Sequence, residues 1–240
     1  MKISFIFFAL FLNYSFSSYA QFEVFNSKAD AFLKKYVHDG NVAYKQVSTN
    51  MSEVENLYSM IKVMDIKSLN QDQKKAFCMN AYNILVIYQI ARNLNNIEST
   101  QSFDGFFDKY EFNVGGELVT LNELEIKHLL MTFKDPRVHF ALACGARGCP
   151  KLASYAFDPG KLEQQLNERA KISLNDSYFI RLQEGQNKVM ISKIFKWYEK
   201  DFLKESPDVV AYINNFRDNK VPNSYSVGYY EYDWDLNNAN

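Results

Sequence analysis

The sequence predicts an α+β fold in which a helical N-terminal part packs on a small antiparallel sheet. Apolar residues in the first third of the chain recur at three-to-four spacing, which is typical of amphipathic helices. Beyond about residue 100 the chain contains two pairs of short β-prone segments, and each pair flanks a turn that contains glycine. No repeat, low-complexity segment or long linker divides the chain, so we expect one domain.

Three helices are predicted before residue 94. The first carries one apolar stripe, formed by Phe22, Phe25, Ala29, Phe32 and Tyr36. Ser52 with Glu55 has the spacing of a capping box and predicts the start of the second helix. Ser68 with Gln71 predicts the start of the third, which we expect to run to about Asn93.

Strands and shorter helices are predicted in the remainder. One hairpin turns at Gly115-Gly116 and a second at Glu184-Gly185, and the apolar run 138–143 is interpreted as a further strand. The helices are predicted over 124–131 after a Thr120 cap, after Asp158-Pro159, over 194–203 and after Ser206. The aromatic tail over 222–240 is expected to pack on the domain.

The first twenty residues are typical of a secretory signal peptide. Lys2 supplies a positive charge, about ten apolar residues follow, and small residues precede position 21. This apolar run is shorter than the roughly 20 residues needed to cross a bilayer, and no later segment is long and apolar enough. We therefore expect an exported protein, periplasmic or secreted, whose mature chain spans 21–240 without a transmembrane segment.

The charge composition limits the classes of partner that the protein can bind. Lys and Arg number 27 against 28 Asp and Glu, a net charge of −1, and no basic cluster stands out. Nucleic-acid binding needs a concentrated basic surface, so we exclude that class. The expected partner is a small molecule or a peptide.

Two of the three cysteines fall in the segment 135–152, which is the most informative part of the chain. Cys144 and Cys149 enclose a loop with two glycines, and outside a reducing cytosol such a pair can form a disulfide. Alternatively, Cys144 is a nucleophile, because it lies where a predicted strand ends and a glycine-containing loop begins. A pair that switches between the two states, and so exchanges disulfides, is the third alternative.

Three polar side chains are candidate companions of Cys144. His139 either accepts its proton or is satisfied by local hydrogen bonds, and on a strand it faces the opposite side from Cys144. Asn80 and Asn83 lie on an apolar helix face, where a buried amide needs specific partners. Each either ties down a neighbouring loop or orients a histidine and stabilises an oxyanion.

The histidine spacing and Trp197 are two further signals in the sequence. The spacing of His128, His139 and the cysteine pair matches no common zinc arrangement, so we predict no metal and no cofactor. Trp197 lies on a helical face with flanking charges; we favour a core position for it over a surface that stacks on a ligand.

Five ordered segments make the chain similar to the family known as domain of unknown function 547. The resemblance covers roughly residues 50–237 and implies an exported bacterial protein with one such domain. Its motifs carry over onto Asn80 and Asn83, and onto His139, Cys144 and Cys149. The five segments are FCMNAYNILVI at 77–87, VGGELVTLNELE at 114–125, DPRVHFALACGARGCPKL at 135–152, ISKIFKWYEKDF at 191–202 and YEYDWDLN at 230–237.

Two classes of function follow as hypotheses. In the first, the protein is a thiol-dependent hydrolase or acyltransferase: Cys144 attacks, His139 takes the proton, and Asn80 or Asn83 orients or stabilises charge. In the second, a Cys144–Cys149 disulfide staples a binding or scaffold module that has no catalytic role. Disulfide exchange with a partner is a variant in which the pair itself reacts.

Overall fold

The computed structural model describes the backbone of residues 4–239 and the side chains of residues 20–239. The predicted signal peptide, residues 1–20, lies almost wholly outside the described side chains, and residues 1–3 lie outside the described backbone as well. Within the described part, no helix has both the length and the apolar character that a membrane crossing requires.

Helices dominate the chain and strands are short, which confirms the α+β prediction. The helices are α1 Ser4–Tyr36, α2 Tyr44–Thr49, α3 Met51–Val63, α4 Gln71–Arg92, α5 Leu121–Glu123, α6 Met131–Phe133, α7 Leu162–Asn175, α8 Ile194–Trp197, α9 Glu199–Phe202 and α10 Val209–Phe216. The strands are β1 Val37–His38, β2 Asn41–Val42, β3 Glu111–Val114, β4 Glu117–Thr120, β5 Ile180–Gln183, β6 Lys188–Ile191 and β7 Ser226–Tyr229. A π-helix, Leu124–Leu130, joins α5 to α6.

The strands form three small sheets. β1 pairs with β2 and β3 with β4, both antiparallel. β5 and β6 form the second predicted hairpin, and β7, from the C-terminal segment, adds to β6 in parallel. Gly115 and Gly116 form the two-residue turn between β3 and β4 and adopt positive φ values of 61° and 88°, as predicted for a hairpin turn of this length.

Helix starts were only partly predictable. The Thr120 and Glu123 side chains form the predicted reciprocal capping box at α5. The predicted start at Ser68 is wrong, because Asn70 forms the capping box of α4 with Gln73, while the Ser68 hydroxyl donates to Asp65 O. The Ser52 cap is also wrong, because α3 already begins at Met51. Asp208 replaces Ser206 as the cap of α10, where it accepts from the Ala211 N–H.

The predicted strand over 138–143 is wrong. A 3₁₀ helix, Pro136–Phe140, occupies its first half, and a non-helical segment leads from it to Cys144. Asp135 caps this helix by accepting from the Arg137 N–H, and Pro136 stands at the first position. A short buried apolar run is compatible with either a helix or a strand. Here Asp135 and Pro136 favour the helix, because they cap and begin it. The prediction that His139 and Cys144 face opposite sides of a strand is therefore also wrong.

Buried apolar residues form two clusters that meet at the cysteine loop. The larger contains residues of α1, α3 and α4, and the smaller contains residues of α7, α10 and the β5–β6 hairpin. Cys149 and Tyr198 are both half-buried and contact both clusters. The cysteine pair thus lies where the N-terminal and C-terminal halves of the structure meet.

Candidate functional site

A buried ion cluster holds the start of the 3₁₀ helix that carries His139. Asp135 accepts from Lys75 Nζ at 2.6 Å and from two guanidinium nitrogens of Arg137, at 2.7 and 2.9 Å. The side chains of Lys75 and Asp135 are 9% and 10% exposed. Because Lys75 lies on α4, this cluster ties the site to a helix of the larger core cluster.

The two predicted asparagines bind backbone rather than the cysteine pair. Asn83 Nδ2 donates to Ala141 O and its Oδ1 accepts from the Ala143 N–H, both at 3.0 Å. Asn80 holds Phe157 in the same way, at 3.0 and 2.8 Å, and also donates to Asn26 Oδ1 at 2.8 Å. Asn83 therefore fixes the peptide directly before Cys144, whereas Asn80 acts on a different loop.

Cys144 and Cys149 are paired in a disulfide, and both residues are half-buried. Gly145 turns the loop with a φ of 81°. The C-terminal tail holds the loop from outside: the Arg147 and Gly148 N–H groups donate to the tail carbonyls of residues 235 and 233, both at 2.8 Å. The prediction that the tail packs on the domain is confirmed, with Tyr232 8% and Leu236 9% exposed.

Hydrogen-bond donors converge on the sulfur of Cys149. The Cys144 N–H donates to it at 2.9 Å and the Tyr232 hydroxyl at 3.1 Å, and the same hydroxyl lies 3.3 Å from Cys144 Sγ. Burial raises the pKa of the Tyr232 phenol well above its usual value, so the hydroxyl keeps its proton. Cys149 Sγ consequently has two donors ready to stabilise negative charge.

His139 pairs with an acid that the sequence did not connect to it. Its Nε2 lies 3.1 Å from Asp201 Oδ2, and its ring packs on Tyr198 with 4.2 Å between centroids. The hydrogen bond from His139, followed by one from Lys204, lowers the pKa of the Asp201 carboxyl to about 2. The imidazole is thus held in one orientation by a carboxylate that is ionised at neutral pH.

A cavity of about 180 Å³ lies beside the disulfide. Cys144, Cys149, His139 and Glu125 contribute to its wall; the two cysteines are half-buried and the His139 side chain is 2% exposed. Among the described residues that line the cavity, none is Lys or Arg. Its aromatic lining, apart from His139, is Tyr82, Phe107, Trp197, Tyr198, Tyr232 and Trp234.

Three of these rings form one cluster. Trp197 lies 5.0 Å from Tyr232 and 5.8 Å from Trp234 between ring centroids, and Tyr232 lies 4.7 Å from Trp234. Trp197 is 47% exposed, so the favoured prediction that it is a core residue is wrong. A ring that is half in solvent and half on other rings is suited to contact a ligand.

The structure brings together part of the predicted set. His139, Cys144 and Cys149 share the cavity, while Asn80 and Asn83 are absent from its lining. Sequence reasoning missed Asp201, Tyr232 and Glu125 as members of the site. Within the described residues, no three His, Cys, Asp or Glu side chains converge closely enough to hold a metal ion.

Comparison with known proteins identifies a family for the central segment. Residues 66–172 match the family model described as Protein of unknown function, DUF547. The matched segment contains Cys144, Cys149 and His139, whereas Asp201 and Tyr232 lie beyond it. No curated protein and no solved structure matches the chain.

Proposed function

Residues 66–172 belong to the DUF547 family, and we propose that the protein exchanges its Cys144–Cys149 disulfide with a thiol substrate in the aromatic cavity. The observation that carries this proposal is the convergence of two donors on Cys149 Sγ. A leaving thiolate departs faster when its negative charge is stabilised, so the site favours cleavage with Cys149 as the leaving group.

The exchange step follows from this asymmetry. A substrate thiolate attacks Cys144 Sγ, a new S–S bond forms to Cys144, and the electron pair of the broken bond goes to Cys149. A second substrate thiolate then attacks its partner sulfur in the mixed disulfide and releases Cys144. Two substrate thiols become one disulfide, and the two electrons and two protons convert the cysteine pair to thiols. A low-molecular-weight disulfide reverses these steps and restores the oxidised protein.

The third cysteine does not compete in this chemistry. Cys78 is 3% exposed on α4, and burial raises the pKa of its thiol to about 12. The thiolate is the reactive form, so Cys78 is unreactive in the folded protein at neutral pH. Thiol titration of the native protein therefore reports the Cys144–Cys149 pair alone.

The test is reduction of the folded protein by an uncharged thiol, 2-mercaptoethanol. We expect two titratable thiols to appear while circular dichroism shows an unchanged fold, and the third only after unfolding in guanidinium. We expect Tyr232→Phe, which keeps the ring and removes one donor, to be reduced about tenfold more slowly. Tyr230→Phe is the matched control, because its hydroxyl donates to Phe179 O and contacts neither sulfur.

Two results would overturn this proposal. A disulfide that is reduced only when the protein unfolds is a structural staple. Equal reduction rates for Tyr232→Phe and Tyr230→Phe would show that the hydroxyl at Cys149 has no part in cleavage.

A second function, hydrolysis of an ester or thioester by the reduced protein, is favoured by the His139–Asp201 pair on the same cavity. Here His139 takes the proton of the Cys144 thiol, the thiolate attacks the acyl carbonyl, and the leaving alcohol or thiol receives the proton. Water then hydrolyses the acyl-enzyme. Asp201 acts by holding the imidazole.

The reduced protein with p-nitrophenyl acetate tests this second function. We expect a burst of nitrophenol that Cys144→Ser abolishes and Asp201→Asn slows by about a hundredfold. Asp218→Asn, at an exposed position, is the control. An unchanged rate in Cys144→Ser would eliminate the hydrolase.

A further inference from the structure

The cavity beside the disulfide combines many aromatic rings with one acidic side chain. Six Tyr, Trp and Phe rings line it, and the only carboxylate in its described lining is Glu125. Glu125 lies on the π-helix Leu124–Leu130, a local widening of the helix that is frequent at functional sites. Its Oε1 accepts from the Tyr198 hydroxyl at 2.9 Å.

Glu125 makes no ion pair with any described residue, and no Lys or Arg stands in the cavity lining. Elsewhere in the described structure, Lys or Arg side chains lie over the rings of seven aromatic residues, but over none of the six cavity rings. The cavity is therefore lined by aromatic rings and by a carboxylate that has no cationic partner among the described residues.

We propose that this cavity binds an alkylammonium group, seated on the Trp197, Tyr232 and Trp234 cluster and neutralised by Glu125. Aromatic faces attract cations through the negative charge of their π-systems, and the attraction grows when the cation is desolvated. A neighbouring carboxylate adds an opposite charge at short range. The volume of about 180 Å³ suits a small cationic group rather than a large ligand.

The ammonium group defines the substrate class of the proposed exchange site. It rests on the exchange proposal in one respect, that the substrate binds in this cavity. In a substrate of the exchange, an ammonium group held there beside Cys144 belongs either to a small free amine that carries a thiol or to a lysine side chain of a peptide that carries one. Both sources offer the same recognised chemistry, so the test uses a probe for each.

Tryptophan fluorescence reads this cavity selectively, because the chain has two tryptophans and both Trp197 and Trp234 line it. The oxidised protein is titrated with choline, with ethanolamine and with N-acetyl-lysine methylamide. The neutral control is 3,3-dimethyl-1-butanol, which has the shape of choline without its charge. We expect at least one charged probe to bind, with roughly tenfold or greater preference for choline over the neutral alcohol if the amine is quaternary.

Glu125→Gln keeps the side-chain shape and an acceptor for the Tyr198 hydroxyl while removing the charge. We expect it to weaken binding of the charged probes roughly tenfold and to leave the neutral alcohol unaffected. Glu117→Gln, whose side chain is 67% exposed on β4, is the matched control and should bind like the wild type. Tight binding of the lysine probe alone indicates a peptide source, and tight binding of choline or ethanolamine indicates a free amine.

Failure of every charged probe to bind more tightly than the neutral alcohol would overturn the ammonium site. Equal affinity of Glu125→Gln and wild type for the charged probes would do the same. None of these probes contains a thiol, so the result is independent of disulfide reactivity. A disulfide that resists 2-mercaptoethanol leaves the ammonium site standing, and loss of the ammonium site leaves the exchange chemistry standing.

Discussion

Asp135→Asn is expected to lower the free energy of unfolding by about 3–5 kcal/mol, the usual cost of removing one partner from a buried ion pair. Asp135 is the shared acceptor of Lys75 and Arg137, and Lys75 is only 9% exposed. An amide in its place leaves the Lys75 ammonium buried with no described counter-charge. Urea denaturation followed by circular dichroism measures the loss.

Asp104→Asn is the matched control for this variant. Asp104 also accepts from a lysine at 2.8 Å, but the two side chains of that pair are 87% and 61% exposed. Exposed pairs contribute about 0–1 kcal/mol, so the control should unfold almost as the wild type does. A loss in Asp135→Asn no larger than in Asp104→Asn would contradict the role given to the buried cluster.

The Asp135 carboxylate should also make the free energy of unfolding depend on pH. Burial alone would raise the pKa of Asp135, but hydrogen bonds from Arg137 and Lys75 outweigh it and lower the pKa to about 2. An aspartate in an unfolded chain has a pKa of about 3.9. Because the folded pKa is the lower one, the stabilisation is complete above about pH 5 and is lost as the pH falls towards 2.

Asp135→Asn should therefore lose less stability than the wild type between about pH 5 and 2. Some acid dependence remains in the variant, because the pKa of Asp201 is also lowered to about 2 by its hydrogen bond from His139. Denaturation midpoints at a series of pH values measure the difference. Parallel curves for the two proteins would be inconsistent with a lowered pKa at Asp135.

The parts of the fold that the sequence predicted correctly depend on residues close together in the chain. The Thr120–Glu123 capping box joins residues three positions apart, and the Gly115-Gly116 turn needs only two positive φ values. The disulfide between Cys144 and Cys149, one of the alternatives that the sequence left open, joins residues five positions apart. In each case the physical requirement and the residues that meet it are visible in one short window.

The site was predicted less completely because its remaining contacts join distant segments. His139 and Asp201 are 62 residues apart, and Tyr232 is 83 residues from Cys149. No local sequence pattern indicates which of the many acidic residues will contact His139 or which of the tyrosines will contact Cys149. The prediction of a strand over 138–143 was wrong for another reason. The apolar composition of this segment fits a strand and a helix equally, although Asp135-Pro136 before it is a helix-start signal.

Gly145→Ala is the second change with a large expected effect, and it tests how tightly the cysteine loop is seated on α4. Gly145 has a φ of 81°, which costs an alanine about 1–2 kcal/mol. An added Cβ there would also clash with the Ile90 side chain and lie 3.1 Å from Thr100 Cγ2. Overpacking of this kind costs about 1–3 kcal/mol, so we expect a total loss of about 2–5 kcal/mol in urea denaturation.

Gly116→Ala separates the two causes. Gly116 has a similar φ of 88°, but an added Cβ there meets nothing within 4 Å. This variant should lose only the backbone contribution of about 1–2 kcal/mol. Equal losses in the two variants would mean that Ile90 and Thr100 yield without cost, so that contact with α4 does not hold the loop beside Cys144. A larger loss in Gly145→Ala instead means that core packing against Ile90 sets the position of the disulfide at the cavity.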